Sequence, residues 1–495
     1  MKQPGIAFDP HGVMESQETS ILLPLVAGIA FNLLSLAIDS PNRIAVLGLV
    51  VGLLATLAWS ERPLAWVIFV AVIAANPGNT TTPISINLFC GGYSLLLMRS
   101  GGWKLLPRLL QFAFCFALVS MAVSIITSLF GEFRVPSIQT LDITIPRPYM
   151  STWSNGASLV MLVTQTKEFA NYLLGPFLLI PVIFSRIRRD HDPLLLIQGL
   201  LFGLIVPTLL LFVLARVFGK AHLDLNAMKE NMLNVSRFLL WNTDIMTIRT
   251  QVGIILAAFI CASFAIALSP GQRWTRIAAA VCLVVAAYLL LVSGSVGSTL
   301  ACGAGIALIL ALGMPHFSIK RYLVVMCIGA GIALAAWTVV PEGVKAYTLA
   351  RYEERAGIQG SPVGDRADRW TKSFSYLMEN PSGVGWSLYI EPLGIYPHND
   401  YISYAIAYGL LCGLLYLACP LGLLFSFLVY RPSQLEPGRF TLALVGAGVT
   451  TVMLINSMSD HMTANRWYFN VIWSLIWFAF YASRPALGPS VSKIP

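Results

Sequence analysis

The longest polar segment of the chain, residues 341–397, concentrates side chains that could take part in chemistry. Its six basic residues are Lys345, Arg351, Arg355, Arg366, Arg369 and Lys372. Guanidinium groups bind phosphates and carboxylates through paired, charge-assisted hydrogen bonds. The segment therefore predicts a site for an anionic ligand. The plainer alternative is a solvated loop in which the arginines pair with the segment's own acids: Glu353, Glu354, Asp365 and Asp368.

Two arginines and a histidine are the leading candidates. Arg366 and Arg369 lie one turn apart near the start of a predicted helix, where free backbone N–H groups and the helix dipole also favour an anion. His398 follows at the outer mouth of the next apolar run, beside Asn399 and Asp400. A lone histidine in such a place is more often an interfacial hydrogen-bonding residue than a catalyst, so its position alone assigns no function.

The predicted helix covers residues 364–381, with the sequence GDRADRWTKSFSYLMENP. Asp365 is the expected N-cap, and the pair Asn380-Pro381 is expected to end the helix. Helical spacing places three apolar side chains on one face: Trp370, Phe374 and Leu377. The segment therefore predicts an amphipathic helix within a large outer loop.

The elements that must position these residues are membrane helices. Of the 495 residues, 57% are hydrophobic and only 11% are charged, and the mean hydropathy is +0.73. A soluble protein carries about a quarter charged residues, and this chain has too little polar surface to cover a water-soluble core of that size. The composition predicts an all-α, polytopic membrane protein.

Apolar runs long enough to cross a bilayer, or nearly so, predict about fourteen spans. They lie at 21–38, 44–60, 64–75, 84–98, 109–130, 169–185, 194–215, 252–268, 277–292, 298–314, 322–340, 401–428, 440–458 and 468–482. The run 64–75 is the weakest because it is short and is bracketed by Pro63 and Pro77.

Charge in the connections predicts the orientation. With the N-terminus in the cytoplasm, every even-numbered connection is short, basic and cytoplasmic, which is the positive-inside pattern. The prediction is a cytoplasmic segment 1–20, one transmembrane domain 21–482 and a cytoplasmic tail 483–495. Its long outer loops are 131–168, 216–251 and 341–400, of which the last carries the candidate site.

The spans themselves exclude some functions. From Val252 onward they contain almost no ionisable side chains, which argues against an ion-coupled transporter. All eight cysteines lie in apolar runs. They are expected to be small core residues, with neither a disulfide framework nor a thiolate metal site.

An ordered set of short motifs resembles one bacterial family. The set is Arg366-x-x-x-Trp370, Glu379-Asn-Pro381, Gly383-Val-Gly385, His398-Asn-Asp-Tyr-Ile and Tyr408-Gly-Leu-Leu-x-Gly413. It resembles the shared core of the O-antigen ligase and O-antigen polymerase superfamily, which includes exopolysaccharide polymerases. The close resemblance covers residues 364–416, and the topology extends it more loosely to 250–480.

The resemblance implies a GT-C-like glycosyltransferase of the bacterial inner membrane, with its active site facing the periplasm. Such enzymes move a glycan from undecaprenyl diphosphate to an acceptor hydroxyl without a metal or other cofactor. His398 matches the family histidine, a plausible general base, and Arg366 matches the family arginine that contacts the diphosphate. Asn399 or Asp400 would support the imidazole. The expected partners are the lipid-linked donor, a glycan or lipid-linked acceptor and the bilayer. A chain-length regulator is a further candidate partner, and no nucleic acid is expected.

One departure from the family concerns the turn before the large loop. The family often has a Ser-Arg-Gly-like turn there, whereas this chain has Ser293-Gly-Ser-Val-Gly-Ser298 with no arginine. Either backbone N–H groups of that turn serve instead, or a second diphosphate contact comes from Arg369, Arg351 or Arg249. His461, on the same predicted side, is a candidate for the acceptor path, with a plain interfacial role as the alternative.

Three functions follow, in order. The first is a polymerase that moves a growing glycan onto the next lipid-linked repeat unit. The second is a ligase that moves the finished glycan onto lipid A-core or a protein. The third, from another class, is a flippase for lipid-linked oligosaccharide or an anion transporter.

Overall fold

The computed structural model describes residues 22–31, 176–177, 180–184, 192–218, 245–269, 272–293, 295–313, 362–383, 397–429, 435–459 and 466–484, with isolated positions elsewhere. Side chains at 210–218, 245–252, 362–367 and 466–470 lie outside that description. Every regular element in the described ranges is helical, with no strand among them. The all-α prediction is thus confirmed for this part of the chain.

The described helices run in order along the chain. They are α1 (Leu22–Phe31), α2 (Ile180–Phe184), α3 (Pro193–Phe218), α4 (Ile245–Leu268), α5 (Arg273–Ser293), α6 (Val296–Gly313), α7 (Pro362–Glu379), α8 (Asp400–Tyr408), α9 (Leu410–Val429), α10 (Pro437–Ser459) and α11 (Arg466–Ala482).

Among the described residues, four helical stretches are long and apolar enough to cross a membrane: Arg273–Leu291, Val296–Gly313, Leu410–Val429 and Pro437–Ser459. Shorter apolar stretches lie at Leu22–Phe31, Pro193–Leu209, Gly253–Leu268 and Val471–Ala482. The chain is a helical integral membrane protein. The predicted spans 44–60, 64–75, 84–98, 109–130, 169–185 and 322–340 lie wholly or largely outside the described residues, so the total of about fourteen, the domain bounds and the GT-C-like architecture stay predictions.

Helix α10 forms the centre of the bundle and packs against α4, α6, α9 and α11. Small residues allow this close packing, as is typical inside membranes. A Cβ atom at Gly448 would lie 2.6 Å from Cδ1 of Ile309, and one at Gly446 would overlap the ring of Phe427. Five of the predicted core cysteines are buried and free: Cys261, Cys282, Cys302, Cys412 and Cys419. Cys115 is exposed. Cys90 and Cys327 lie outside the described residues.

Polar contacts mark the two ends of the bundle. At one end, the Thr441 hydroxyl of α10 donates to the Ser269 hydroxyl that follows α4, at 2.8 Å. At the other end, the Ser298 hydroxyl of α6 donates to Oδ1 of Asn456 on α10, at 3.1 Å. The predicted cytoplasmic connection after α4 and the predicted outer connection before α6 therefore lie at opposite ends. Which end faces the cytoplasm stays a prediction.

The predicted span 401–428 is wrong as a single helix. It consists of α8 and α9, which meet at Gly409 with a φ of 100°. A Cβ at Gly413 of α9 would lie 2.8 Å from the carbonyl oxygen of Tyr401 and 2.6 Å from Cβ of Ala405, so α8 folds back against α9. The 20 residues of α9 extend about 30 Å, which matches the hydrocarbon core without α8.

Candidate functional site

Helix α7 is the amphipathic helix of the large loop. It begins at Pro362, so the prediction that Asp365 caps it is wrong, and Asp365 lies in its first turn. Proline suits the first helical position because its fixed φ is helical and because a backbone N–H at that position would have no partner within the helix. The predicted end at Asn380 is confirmed, since the Asn380 N–H and side-chain amide both donate to the carbonyl of Tyr376, at 3.1 and 3.2 Å.

The packed face of α7 differs from the predicted one. Trp370 and Leu377 pack on α8 as expected, but Phe374 is 50% exposed. Tyr376 takes its place, only 2% exposed, in a cluster with Ile402, Ala405, Ile406 and Leu410. Burial, and secondarily the charge of Glu379, raises the pKa of Tyr376 to about 12, so this phenol stays neutral at physiological pH.

The turn after α7 docks on the junction of α8 and α9. The Leu410 N–H donates to the carbonyl of Pro381 at 2.9 Å. Gly383 has a φ of 85°, and a Cβ there would overlap the backbone nitrogen of Gly409. A Cβ at Gly409 would in turn lie 2.9 Å from the carbonyl oxygen of Ser382. Two glycines of the family-like motif are thus required because two backbones touch.

His398 lies at the start of α8 on strained backbone. Its φ is 49°, and it is the one non-glycine residue with positive φ in the described ranges. Such backbone costs about 1–3 kcal/mol and is frequent at functional sites. Pro397 and Asn399 on either side are buried, whereas His398 is half-buried. The surroundings therefore hold the backbone while leaving the imidazole partly accessible.

Two hydrogen bonds flank this bend. Nε1 of Trp370 donates to the carbonyl of Pro397 at 2.9 Å, which ties α7 to the residue before His398. On the other side, Asn399 caps α8, with its Oδ1 accepting from the N–H of Ile402 at 3.1 Å. The side-chain oxygen of Asn399 is thus engaged as a helix cap, the role that suits asparagine at this position.

Asp400 is fully buried in the first turn of α8, where the helix dipole stabilises a carboxylate. Ser457 of α10 lies beside the hydroxyls of Tyr401 and Tyr416. The Tyr401 hydroxyl also donates to the carbonyl of Leu454 at 3.3 Å. Tyr416 stacks on Tyr404 with ring centroids 4.0 Å apart. The Tyr401 bond thus joins α8, which begins beside His398, to the end of α10.

The serine turn, residues 293–298, lies at the same end of the bundle. The Ser295 hydroxyl donates to the Ser298 hydroxyl at 2.9 Å, and Ser298 donates to Asn456. Gly253 of α4 approaches so closely that a Cβ there would lie 2.6 Å from Cβ of Ser295. Asn456 and Ser457 are neighbours on α10, so this helix contacts both the serine turn and the tyrosines of α8 and α9.

The predicted site residues are described to different extents. Arg366 lies within α7, and the helical register places position 366 on the same face as Trp370, Ser373 and Leu377. Arg369 is half-buried beside Trp370. Arg249 lies in the first turns of α4, four residues before Gly253. The side chains of Arg366 and Arg249, and the whole of Arg351 and His461, lie outside the described residues.

Sequence reasoning missed three contacts of this site. They are the bond from Trp370 to Pro397, the bond from Ser298 to Asn456, and the tyrosines of α8 and α9 beside Ser457. The available signal for the last two was the pair Asn456-Ser457, two polar residues within a predicted span. Intramembrane polar residues need partners inside the bundle.

The fold and site define a helical membrane protein whose candidate reactive side chains belong to an amphipathic helix and a fold-back helix at one end of the bundle. Residues 281–417 match the family model described as O-antigen ligase. The match confirms the predicted resemblance: this part of the chain carries the domain of the O-antigen ligase and polymerase superfamily. It takes in α6, α7, α8 and the first turns of α9. No curated protein matches the chain.

The match over this segment supports, in broad terms, a role in polysaccharide biosynthesis. Members of that family are glycosyltransferase-like ligases and polymerases that use lipid-linked glycans, and the match supports an enzyme of this kind. The matched segment contains the whole of the α7 helix, the His398 bend and the serine turn, whereas Arg249, Asn456 and His461 lie outside it.

Proposed function

We propose that the chain transfers a glycan from undecaprenyl diphosphate to an acceptor hydroxyl at the periplasmic face of the bacterial inner membrane, without a metal. The observation that carries this proposal is the bond from Trp370 to Pro397. It joins the arginine-bearing helix to the residue before His398, inside the segment that matches the O-antigen ligase model. A guanidinium that binds the diphosphate and an imidazole that accepts the proton are the two groups that this transfer needs.

The chemistry assigns each group a task. The acceptor oxygen attacks the anomeric carbon while the bond from that carbon to the diphosphate oxygen breaks, and its electron pair leaves with undecaprenyl diphosphate. The proton of the acceptor hydroxyl passes to the imidazole of His398, an effect of roughly 10²–10⁴-fold in rate for general bases. Arg366 stabilises the charge that develops on the leaving diphosphate, at about 1.5–3 kcal/mol for each charge-assisted bond.

Secondary contacts complete the proposed site. Arg369 is the first candidate for a second diphosphate contact because it lies half-buried on α7 beside Trp370. Arg249 is another candidate, since α4 begins at the end of the bundle that holds the serine turn. Arg351 and His461 remain further candidates from the sequence. The buried carboxylate of Asp400 and the cap of Asn399 support the bend that presents His398.

The acceptor distinguishes two versions of the proposal. In the first, the acceptor is the next lipid-linked repeat unit and the chain is a polymerase of O-antigen or exopolysaccharide. In the second, the acceptor is lipid A-core or a protein, and the description of the matched family model as a ligase favours this version. Both versions use the same donor chemistry at Arg366 and His398.

Lipid-linked glycans in a deletion strain decide between the two versions. Accumulation of single lipid-linked repeats indicates a polymerase, and accumulation of intact but unattached polymer indicates a ligase. Strains that express His398→Ala or Arg366→Ala should show the same accumulation on the outer leaflet. Repeats stranded on the inner leaflet would instead identify a flippase and overturn the proposal. Activity of the purified chain in EDTA tests the metal-independent part, and loss of transfer there would contradict it.

A further inference from the structure

Resting on the proposed function, we infer that Trp370 is a positioning residue for His398. Its indole N–H couples the arginine-bearing helix α7 to the bend that presents the imidazole, so that the diphosphate-binding and proton-accepting groups keep one geometry. The resemblance supplied only the presence of a tryptophan four residues after Arg366. The role follows from the contact of its side chain.

The first support is the placement of the hydrogen bond. Nε1 of Trp370 donates to the carbonyl of Pro397 at 2.9 Å, a normal length for such a bond. Pro397 is buried and directly precedes His398. The carbonyl of Pro397 and the backbone nitrogen of His398 belong to the same planar peptide group. Holding that carbonyl therefore fixes the orientation of the peptide plane that precedes His398.

The second support is the backbone of His398 itself. A φ of 49° is sparsely populated for a residue with a side chain and persists only where its surroundings hold it. The cap of Asn399 holds the residue after His398 through the start of α8. The Trp370 bond holds the residue before it. Without that bond, one of the two described restraints on the bend is lost.

The third support is the rigidity of the helix that carries Trp370. Its indole packs against the buried cluster of α7 and α8 that contains Leu377 and Ile402, and the turn after α7 is bonded to the start of α9. Helix α7 is therefore fixed along α8 from Trp370 to Pro381. Position 366 is one turn before Trp370 in the register of α7, so the helix that the indole bond holds against the bend is also the helix that carries Arg366.

This arrangement predicts a particular kinetic signature. Loss of the indole N–H should misplace His398 without removing any diphosphate contact. A misplacement of about 1 Å costs roughly 10²-fold in rate. We therefore expect kcat to fall about tenfold to hundredfold, whereas the KM for the lipid-linked donor should change far less.

The test compares three variants of the full-length chain in lipid nanodiscs, with a synthetic undecaprenyl-diphosphate-linked oligosaccharide as donor. The first is Trp370→Phe. The second replaces Trp370 by 3-benzothienylalanine, which keeps the size and shape of indole but replaces its N–H with sulfur. The control is Tyr376→Phe, which removes a hydroxyl from the neighbouring buried ring of the same helix and leaves the Trp370 bond intact.

The expected result is a lowered kcat with a nearly unchanged KM in both Trp370 variants, and normal values for Tyr376→Phe. Normal kcat in the benzothienyl variant would overturn the inference. This holds even if Trp370→Phe loses activity, because that loss would then come from poorer packing of the smaller ring. Failure of the proposed function is a separate outcome, because it would appear as full transfer by a His398→Asn variant in the same assay.

Discussion

Two polar regions lie at the same end of the bundle and are built in opposite ways. In the serine turn, Ser298 is fully buried and its hydroxyl is engaged by Asn456. At the bend, His398 is half-buried on left-handed backbone, and the residues on both sides of it are buried. A buried, satisfied network stabilises a helix junction, whereas a strained and accessible side chain is the pattern of a reactive group. The comparison predicts that the first region maintains the fold and the second performs the transfer.

The largest expected effect is at His398. Asparagine and glycine tolerate left-handed backbone well, so His398→Asn and His398→Gly should keep the bend and lose only the imidazole. We expect transfer to fall by roughly 10²–10⁴-fold in both, with the thermal unfolding temperature in detergent unchanged. Added imidazole should restore part of the activity of His398→Gly. Near-normal rates without imidazole would show that the bend is structural, like the serine turn.

The next effect is at Arg366. Removing charge-assisted bonds to the diphosphate, by Arg366→Gln, should lower kcat/KM by about ten- to hundredfold, in keeping with roughly 1.5–3 kcal/mol for each bond. Lys372→Gln on the same helix is the matched control, because Lys372 is exposed and paired with Asp368 at 2.8 Å. Steady-state transfer from the lipid-linked donor measures both. Equal losses in the two variants would indicate a general effect of charge rather than a diphosphate contact.

A smaller effect is expected where α8 crosses α9. Gly413→Ala would insert a methyl group against Ala405 and the carbonyl of Tyr401, and overpacking of this kind costs about 1–3 kcal/mol. We expect a lower unfolding temperature and reduced transfer, since α8 carries the bend. Gly303→Ala is the control because a Cβ there meets nothing within 4 Å. If both variants behave alike, the fold-back does not position His398.

The smallest effect on transfer is expected in the serine turn. Ser298→Ala leaves Oδ1 of Asn456 without its described donor in a buried site, at a cost of about 1–3 kcal/mol in stability. The unfolding temperature should therefore fall, while kcat per folded molecule stays close to normal. A fall in kcat without a loss of stability would place the serine turn in the reactive site and end the contrast between the two regions.

Much of this arrangement could be predicted from the sequence. Apolar run length predicted the helices α5, α6, α10 and α11 to within four residues at each end, and α4 apart from its first seven residues. The pair Asn380-Pro381 predicted the end of α7, and motif spacing predicted the family. These features depend on local composition and on backbone chemistry, which a sequence records directly.

The parts that the sequence did not predict depend on tertiary contacts. The run 401–428 is apolar throughout, so hydropathy alone cannot divide it at Gly409, where the turn after α7 docks. Phe374 has the spacing of a buried residue, yet α8 packs against the side of α7 that presents Tyr376. Likewise, the left-handed backbone of His398 follows a carbonyl that is held by Trp370, 27 residues earlier in the chain.

The most direct test of the central claim uses the purified chain in nanodiscs with a labelled undecaprenyl-diphosphate-linked oligosaccharide and an acceptor glycan. The account predicts release of undecaprenyl diphosphate in step with acceptor elongation by the wild-type chain, and neither product from His398→Asn. Equal release and elongation by His398→Asn would contradict it.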